Sequence, residues 1–339
     1  MTWDVESLLS SLGVQHSHVG LPTKVSGVAS LKEATNSDLS FCWYEGGKAL
    51  SLITGSNAGA ILCKKSVEER VLSNLAGSET PRATVGEQEK DTTQKHEIRQ
   101  LFFVDNPRLV FVQLMNKIIK KKATPTVSSL AIISKTAKLG VNCTIGDFAK
   151  IGDNCEVGDN VVIGDGVKLV QNCTVGDNCI IQPGVIIGAD GFAFERHQSG
   201  SLERFPHIKG VKIGSNVEIC SNSSVARGSL SDTIIGDGSK LDALVHVAHN
   251  VIIGKHCELT AGTIIGGSTT LGDMCWTGLN STLKDNIRLG NNVIVASGAS
   301  VIRDVQDQDI VAGVPAKSIK EKVTTSQLFL MSGQQEQKK

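Results

Sequence analysis

The chain has 339 residues in which 34 Lys plus Arg balance 34 Asp plus Glu, and a net charge of zero argues against a nucleic-acid binder held by phosphate neutralisation. Hydrophobic residues reach 40%, yet aromatics are only 4% and Gly numbers 35, so the core must be built from small and aliphatic side chains. Nine Cys without a Cys-x-x-Cys pair speak against a disulfide scaffold or zinc ribbon, and no apolar run is long enough for a membrane span.

Residues 1–105 read as a small α/β domain. Val5, Leu8, Leu9 and Leu12 have helical spacing, and Gly13 ends the run. Gly59-Ala-Ile-Leu-Cys63 and Leu101-Phe-Phe-Val104 read as short buried strands, with a polar loop over residues 86–97 between them. Asn106 is a natural N-cap, Pro107 suits the first helical position, and Phe111, Leu114, Met115 and Ile118 share one face. Lys120, Lys121 and Lys122 favour the C-terminal end of that helix, and Thr124-Pro125-Thr126 continues as a linker, so residues 106–126 form a helix and linker.

From residue 127 to residue 314 the chain is periodic. Aliphatic residues recur every six positions from Ile133 to Ile187, and Gly directly follows most of them, as at 140, 146, 152, 158, 164, 176 and 188. The pattern resumes at Ile213, Ile219 and Val225, slips near Leu230, and runs from Ile235 to Val301. Neither an α-helix nor a flat amphipathic strand has this period. A parallel β-helix does: each hexad makes one flat side, three sides close a triangular coil, and about eight coils stack by strand pairing. Cys143, Cys155, Cys173, Cys179, Cys257 and Cys275 each precede a repeat aliphatic by two positions, which makes them small inward-facing fillers. Residues 315–339 read as a short helical start followed by a polar, lysine-rich tail.

The period breaks between Ile187 and Ile213, where Gly188-Ala-Asp-Gly-Phe-Ala-Phe-Glu-Arg196 and Phe205-Pro-His-Ile-Lys-Gly210 form an extruded loop. Aromatics and charge on a loop carried by a rigid rod suit binding. Further on, Leu241-Asp-Ala-Leu-Val-His-Val-Ala-His-Asn250 places Val247 inward, and hence His246 and His249 on or near the outer surface. A neutral His is the usual general base near neutral pH, and a carboxylate such as Asp242 is a natural orienting partner.

These segments, with Ala226-Arg-Gly228, Asp232-Thr-Ile-Ile-Gly-Asp-Gly238, Ser37-Asp-Leu-Ser-Phe41 and Asp105-Asn-Pro-Arg-Leu109, resemble the UDP-3-O-acylglucosamine N-acyltransferases of the lipid A pathway, a family of hexapeptide-repeat transferases. The resemblance implies a mainly β fold, a left-handed parallel β-helix, in a cytoplasmic homotrimer. It also implies transfer of an acyl group, a 3-hydroxyacyl group in the expected substrate, from the phosphopantetheine of acyl carrier protein to the 2-amine of a UDP-linked glucosamine. His249 matches the family's base, Asp242 its acidic partner, and Gly267 the glycine whose N–H would stabilise the oxyanion. His246, Asn250 and Asn286 would line the cleft, and Asp190, Phe192, Phe194, Phe41 and Trp43 would bind the acceptor. No metal and no permanently bound cofactor are expected.

Three features depart from that pattern. Phe41 is followed by Cys-Trp-Tyr where the family's uracil pocket has Asn and then Tyr, and Asn286 stands where many members carry a second His. Ile310-Val-Ala-Gly-Val-Pro-Ala-Lys317 is similar to the end of coenzyme A-dependent hexapeptide acetyltransferases, which keeps a CoA donor as the alternative. Trp276 is bulky enough to shorten an acyl groove if it faces the cleft. Two other readings are a zinc-dependent hydratase using His246, His249 and His256, and a purely structural rod.

Overall fold

The structure, a computed structural model, describes residues 2–77, 99–119 and 124–322. The chain divides into two compact units, residues 1–122 and 123–339. The 86–97 loop and Lys120 to Lys122 lie outside the described residues.

The first unit contains β1 (Trp3–Asp4), α1 (Val5–Ser11), β2 (Ser17–Val19), β3 (Lys24–Val25), β4 (Gly27–Val28), β5 (Asp38–Cys42), α2 (Gly46–Gly55), β6 (Ala60–Lys64), α3 (Glu68–Gly77), β7 (Gln100–Val104) and α4 (Pro107–Ile118). Its main sheet has the order β2-β7-β6-β5-β4. Strands β4 to β7 are parallel, and β2 joins β7 antiparallel at the edge. Both faces are covered, which is why the central strands carry the continuous apolar runs Ala60–Cys63 and Leu101–Val104. Ile61, Cys63 and Phe103 pack against Ala49 and Ile53 of α2 on one face. Leu62 and Phe102 meet Val5 and Leu9 of α1 and Leu114 of α4 on the other. Helix α4 is therefore part of this unit and not a free connector. Its Asn106 cap accepts from the Leu109 N–H at 2.9 Å, and Asp4 caps α1 by accepting from the Glu6 N–H at 3.1 Å.

The second unit is a left-handed parallel β-helix. Side 1 stacks nine strands, from Ile132–Ile133 to Ser300–Val301. Side 2 stacks eight, from Lys138–Leu139 to Arg288–Leu289. Side 3 begins at Thr144–Ile145 and reaches Ile310–Ala312, where Lys317–Ser318 closes the edge antiparallel. The repeat aliphatics and the six Cys form one continuous buried core, each aliphatic side chain contributing on the order of 1.5–3 kcal/mol. The Ile310 to Lys317 motif thus serves as the cap of the last coil. Of the expected helical tail, the described residues hold a single 3-10 turn, Lys320–Lys322.

Corner chemistry differs from a simple glycine rule. Gly152 follows a repeat aliphatic because a Cβ there would strike the Val170 carbonyl oxygen of the next coil. The left-handed backbone is taken two residues later, and Asn fills that place at Asn142, Asn154, Asn160, Asn172 and Asn178, with φ between 51° and 57°.

Coil length locates the irregular region. Equivalent residues are 18 apart at Asp159 and Asp177, 38 apart at Asp177 and Ser215, 22 apart at Ser215 and Asp237, and 18 apart again at Lys255 and Asp273. Strand pairing continues across both long coils, with Ile187 opposite Val225 and Val225 opposite Val247. Both excesses therefore leave the rod between side 1 and side 2, after Ile187 and after Val225.

Candidate active site

The two insertions emerge from the same corner in successive coils, and His249, Gly267 and Asp285 occupy that corner in the three coils that follow. Between them lies a cavity of about 410 Å³ whose lining includes Asp190, Phe192, His246, His249, Gly267 and Asn286. Asp285 also reaches it, so the cavity carries two carboxylates. The longer insertion folds into a hairpin, Phe194–Arg196 against Leu202–Arg204. Its base presents Phe192, 87% exposed, with its ring 5.0 Å from that of Phe194.

The state of His249 follows from its neighbours. Asn250 Nδ2 donates to the Ser231 carbonyl at 2.8 Å, and Asn250 Oδ1 accepts from the Ser229 N–H at 3.3 Å and the Ser229 hydroxyl at 2.8 Å. A backbone carbonyl only accepts and a backbone N–H only donates, so the amide orientation is fixed. Oδ1 lies 2.8 Å from His249 Nδ1, and Nδ1 must then carry the proton. In the neutral form of the ring the lone pair is then on Nε2. That edge of the ring lies over Gly267, where a Cβ would sit 2.8 Å from Cε1 and 2.9 Å from Nε2. The Gly267 carbonyl accepts from the Asn286 N–H at 2.9 Å, while its own N–H makes no hydrogen bond among the described residues.

A second imidazole stands behind the first. His207, in the long insertion, is buried, and neither ring nitrogen has a partner among the described residues. Its ring centroid is 5.3 Å from that of His249 at 74°. Burial pushes its pKa below the ordinary 6.5, and the neighbouring His249 adds to that shift. Gly191 fits between the rings: a Cβ there would come within 2.9 Å of both.

Residues 131–165, 154–189 and 232–267 match the family described as bacterial transferase hexapeptide (six repeats). The UDP-3-O-acylglucosamine N-acyltransferase of Methylorubrum extorquens is 38% identical over 154 residues, 44% of each chain. That of Bordetella parapertussis is 39% identical over 132 residues, 38% of this chain and 36% of the relative. This chain is a homologue of those N-acyltransferases. The matches span less than half of the relatives' own length. The probable UDP-3-O-acylglucosamine N-acyltransferase 2, mitochondrial, of Arabidopsis thaliana is 39% identical over 137 residues, 40% of this chain and 45% of that one. Among solved structures, UDP-N-acetylglucosamine O-acyltransferase from Moraxella catarrhalis shares the fold, with a TM-score of 0.53 at 21% identity over 61% of this chain and 82% of that chain.

Within this homologue, His249, Gly267, His246, Asp190, Phe192 and Asn286 come together, and Asn250 supports them from behind. His246 is exposed on side 1, with Nδ1 2.7 Å from the Ser224 hydroxyl. Asp242 does not join them. It stands at the preceding corner, between sides 3 and 1, where its carboxylate accepts from the Ala243 and Ala261 N–H groups at 2.7 and 3.1 Å. One strand of side 1 separates it from His249 of the same chain, and the side chain that meets His249 Nδ1 is Asn250. Phe194 does not line the cavity; its ring lies under Arg204 at 4.7 Å.

Phe41 and Trp43 belong to the first unit. Phe41 packs on Phe111 at 4.8 Å and Trp43 stacks on Tyr44 at 4.5 Å. Trp276 lies on side 3, opposite the cavity corner of its own chain. His246, His249 and His256 form no group able to share a metal among the described residues. Sequence reasoning missed His207, Gly191 and Asp285. His207 was visible only as one His inside an insertion, and its meeting with His249 depends on how that insertion folds back.

Proposed function

We propose that this protein is an N-acyltransferase that moves a 3-hydroxyacyl group from the phosphopantetheine thioester of acyl carrier protein to the 2-amine of a UDP-3-O-acylglucosamine-type acceptor. It would act in the cytoplasm as a homotrimer, with CoA thioesters as the alternative donor. The names of its relatives support the substrate class, and nine unbridged cysteines suit a reducing compartment. Exposed Ile186 and Ile264 on side 1, with Ile234 and Ile252 on side 2, offer apolar surface for association.

The feature that carries the reading is the contact of His249 Nδ1 with the oriented Asn250 Oδ1, which assigns a hydrogen to Nδ1 and, in the neutral ring, leaves Nε2 as the base. Asp190 and Asp285 favour an amine in the cavity. His249 Nε2 takes a proton from the amine as its nitrogen bonds to the thioester carbonyl carbon. The Gly267 N–H donates to the resulting oxyanion, an interaction worth about 3 kcal/mol at comparable sites. The tetrahedral intermediate collapses with cleavage of the C–S bond, and the Nε2 proton passes to the departing thiolate. No cysteine lines the cavity, in keeping with direct transfer.

Turnover of acyl carrier protein thioesters and acyl-CoA, each with UDP-3-O-acylglucosamine, tests the proposal. H249A should lower kcat by about 10²- to 10⁴-fold. Asn250→Asp keeps an acceptor for Nδ1–H but loses the donor to the Ser231 carbonyl, and should still retain more activity than Asn250→Ala, which loses both. No transfer from either donor would reject the activity, a CoA preference would reject the carrier-protein donor, and equal losses for the two Asn250 variants would reject the orienting bond.

A further inference from the structure

We propose that the first unit binds a divalent ion of the zinc class between Glu6, His16 and His18. These three side chains each offer a ligand atom, and the atoms all lie within 4.8 Å of one another. They are the one such set among the described residues. Its residues are not among those that line the His249 cavity, and the proposal does not rest on the reaction proposed there.

Local structure brings the ligands together. His16 and His18 alternate along the chain entering β2, the edge strand, so both project from one face. Glu6 stands in the first turn of α1. The buried Phe102 ring sits beneath both imidazoles, 5.6 Å from His16 and 5.8 Å from His18, and holds them side by side. His18 Nδ1 is 3.9 Å from Glu6 Oε1.

The hydrogen bonding of His16 supplies a second argument. Its Nδ1 lies 3.0 Å from the Val14 carbonyl oxygen. That oxygen only accepts, so Nδ1 carries the hydrogen and Nε2 keeps the lone pair. This is how ligating histidines are usually held, with the far nitrogen donating to a carbonyl so that the near one faces the metal.

Two imidazoles and one carboxylate form a borderline donor set that suits zinc, whereas calcium and magnesium prefer oxygen ligands. Bonds of about 2.0–2.1 Å in a tetrahedron place donor atoms roughly 3.4 Å apart. The donor atoms now lie within 4.8 Å of one another, so binding one ion draws them closer by up to about 1.4 Å. His18 and Glu6 are 37% and 44% exposed, which leaves an entry path and room for water as the fourth ligand.

The full-length protein, stripped with chelator and titrated with Zn²⁺ alone in a calorimeter, tests the site. One equivalent should bind with a Kd of about 10 µM or tighter, and its melting temperature should rise with added Zn²⁺. Glu6→Gln should weaken binding by about tenfold or more, and the His16→Ala/His18→Ala double variant should abolish it. Glu6→Gln changes an exposed helix side chain, so it remains informative if the double variant fails to fold. Binding of Co²⁺ should give a d–d spectrum without a thiolate charge-transfer band, which separates this site from the cysteines. No saturable binding, a thiolate band, or equal affinity in Glu6→Gln would overturn the proposal and leave Glu6 and His18 as a simple charge pair.

Discussion

At the scale of single residues, the site depends on two imidazoles with different surroundings. His249 has a hydrogen-bonded Nδ1, and its Nε2 faces Gly267. His207 is buried, and neither of its ring nitrogens meets a hydrogen-bond partner among the described residues. Because burial lowers the folded-state pKa of His207 below 6.5, the unfolded chain takes up more protons in that range, and the native state loses stability as pH falls through about 6.5. His207→Phe removes this contribution. Urea melts from pH 7.5 down to pH 5 should therefore show a shallower loss for His207→Phe than for the wild type, and parallel losses would refute the assignment.

Two glycines show why the same residue serves different ends at the scale of the element. Gly152 lies where consecutive coils touch, and a methyl group there would meet the Val170 carbonyl. Gly152→Ala should thus destabilise the protein by about 1–3 kcal/mol, as overpacking does elsewhere. At Gly267 the obstacle is the His249 ring and not a backbone. The same ladder position one coil later carries Asp285 without difficulty. Gly267→Ala should therefore leave the melting temperature close to wild type while lowering kcat by about 100-fold or more, through a displaced base and a disturbed oxyanion donor. Calorimetric melting of both variants, set beside their turnover, separates the two roles; a large stability loss in Gly267→Ala would contradict this account. The insertions obey similar logic. Coil lengths of 38 and 22 residues are tolerated because strand pairing resumes on every side, so the rod supplies a fixed frame and the corner supplies the chemistry.

Considered whole, the molecule has cysteines that are fillers and not cross-links. Eight of the nine are buried and Cys220 is partly exposed, all as free thiols. Native protein should react with about one equivalent of a thiol reagent such as DTNB, against nine after denaturation, and reductant should not change its melting temperature; several fast-reacting thiols in the native state would show that the core fillers are misassigned. Period six in the sequence was enough to determine the β-helix, its inward aliphatics and its buried Cys, because in a repeat each residue's environment is set by neighbours one coil away. The helix cap at Asn106 and the strands around Ile61 and Phe102 were equally legible, since caps and apolar runs are local signals. What only the tertiary structure decided is which distant segments share a corner. Asp242 and His249 are neighbours in sequence but sit at different corners, because a whole strand of side 1 lies between them. His207 and His249 are far apart in sequence yet stand ring to ring, because the insertion folds back over the coil, and no local period encodes that path.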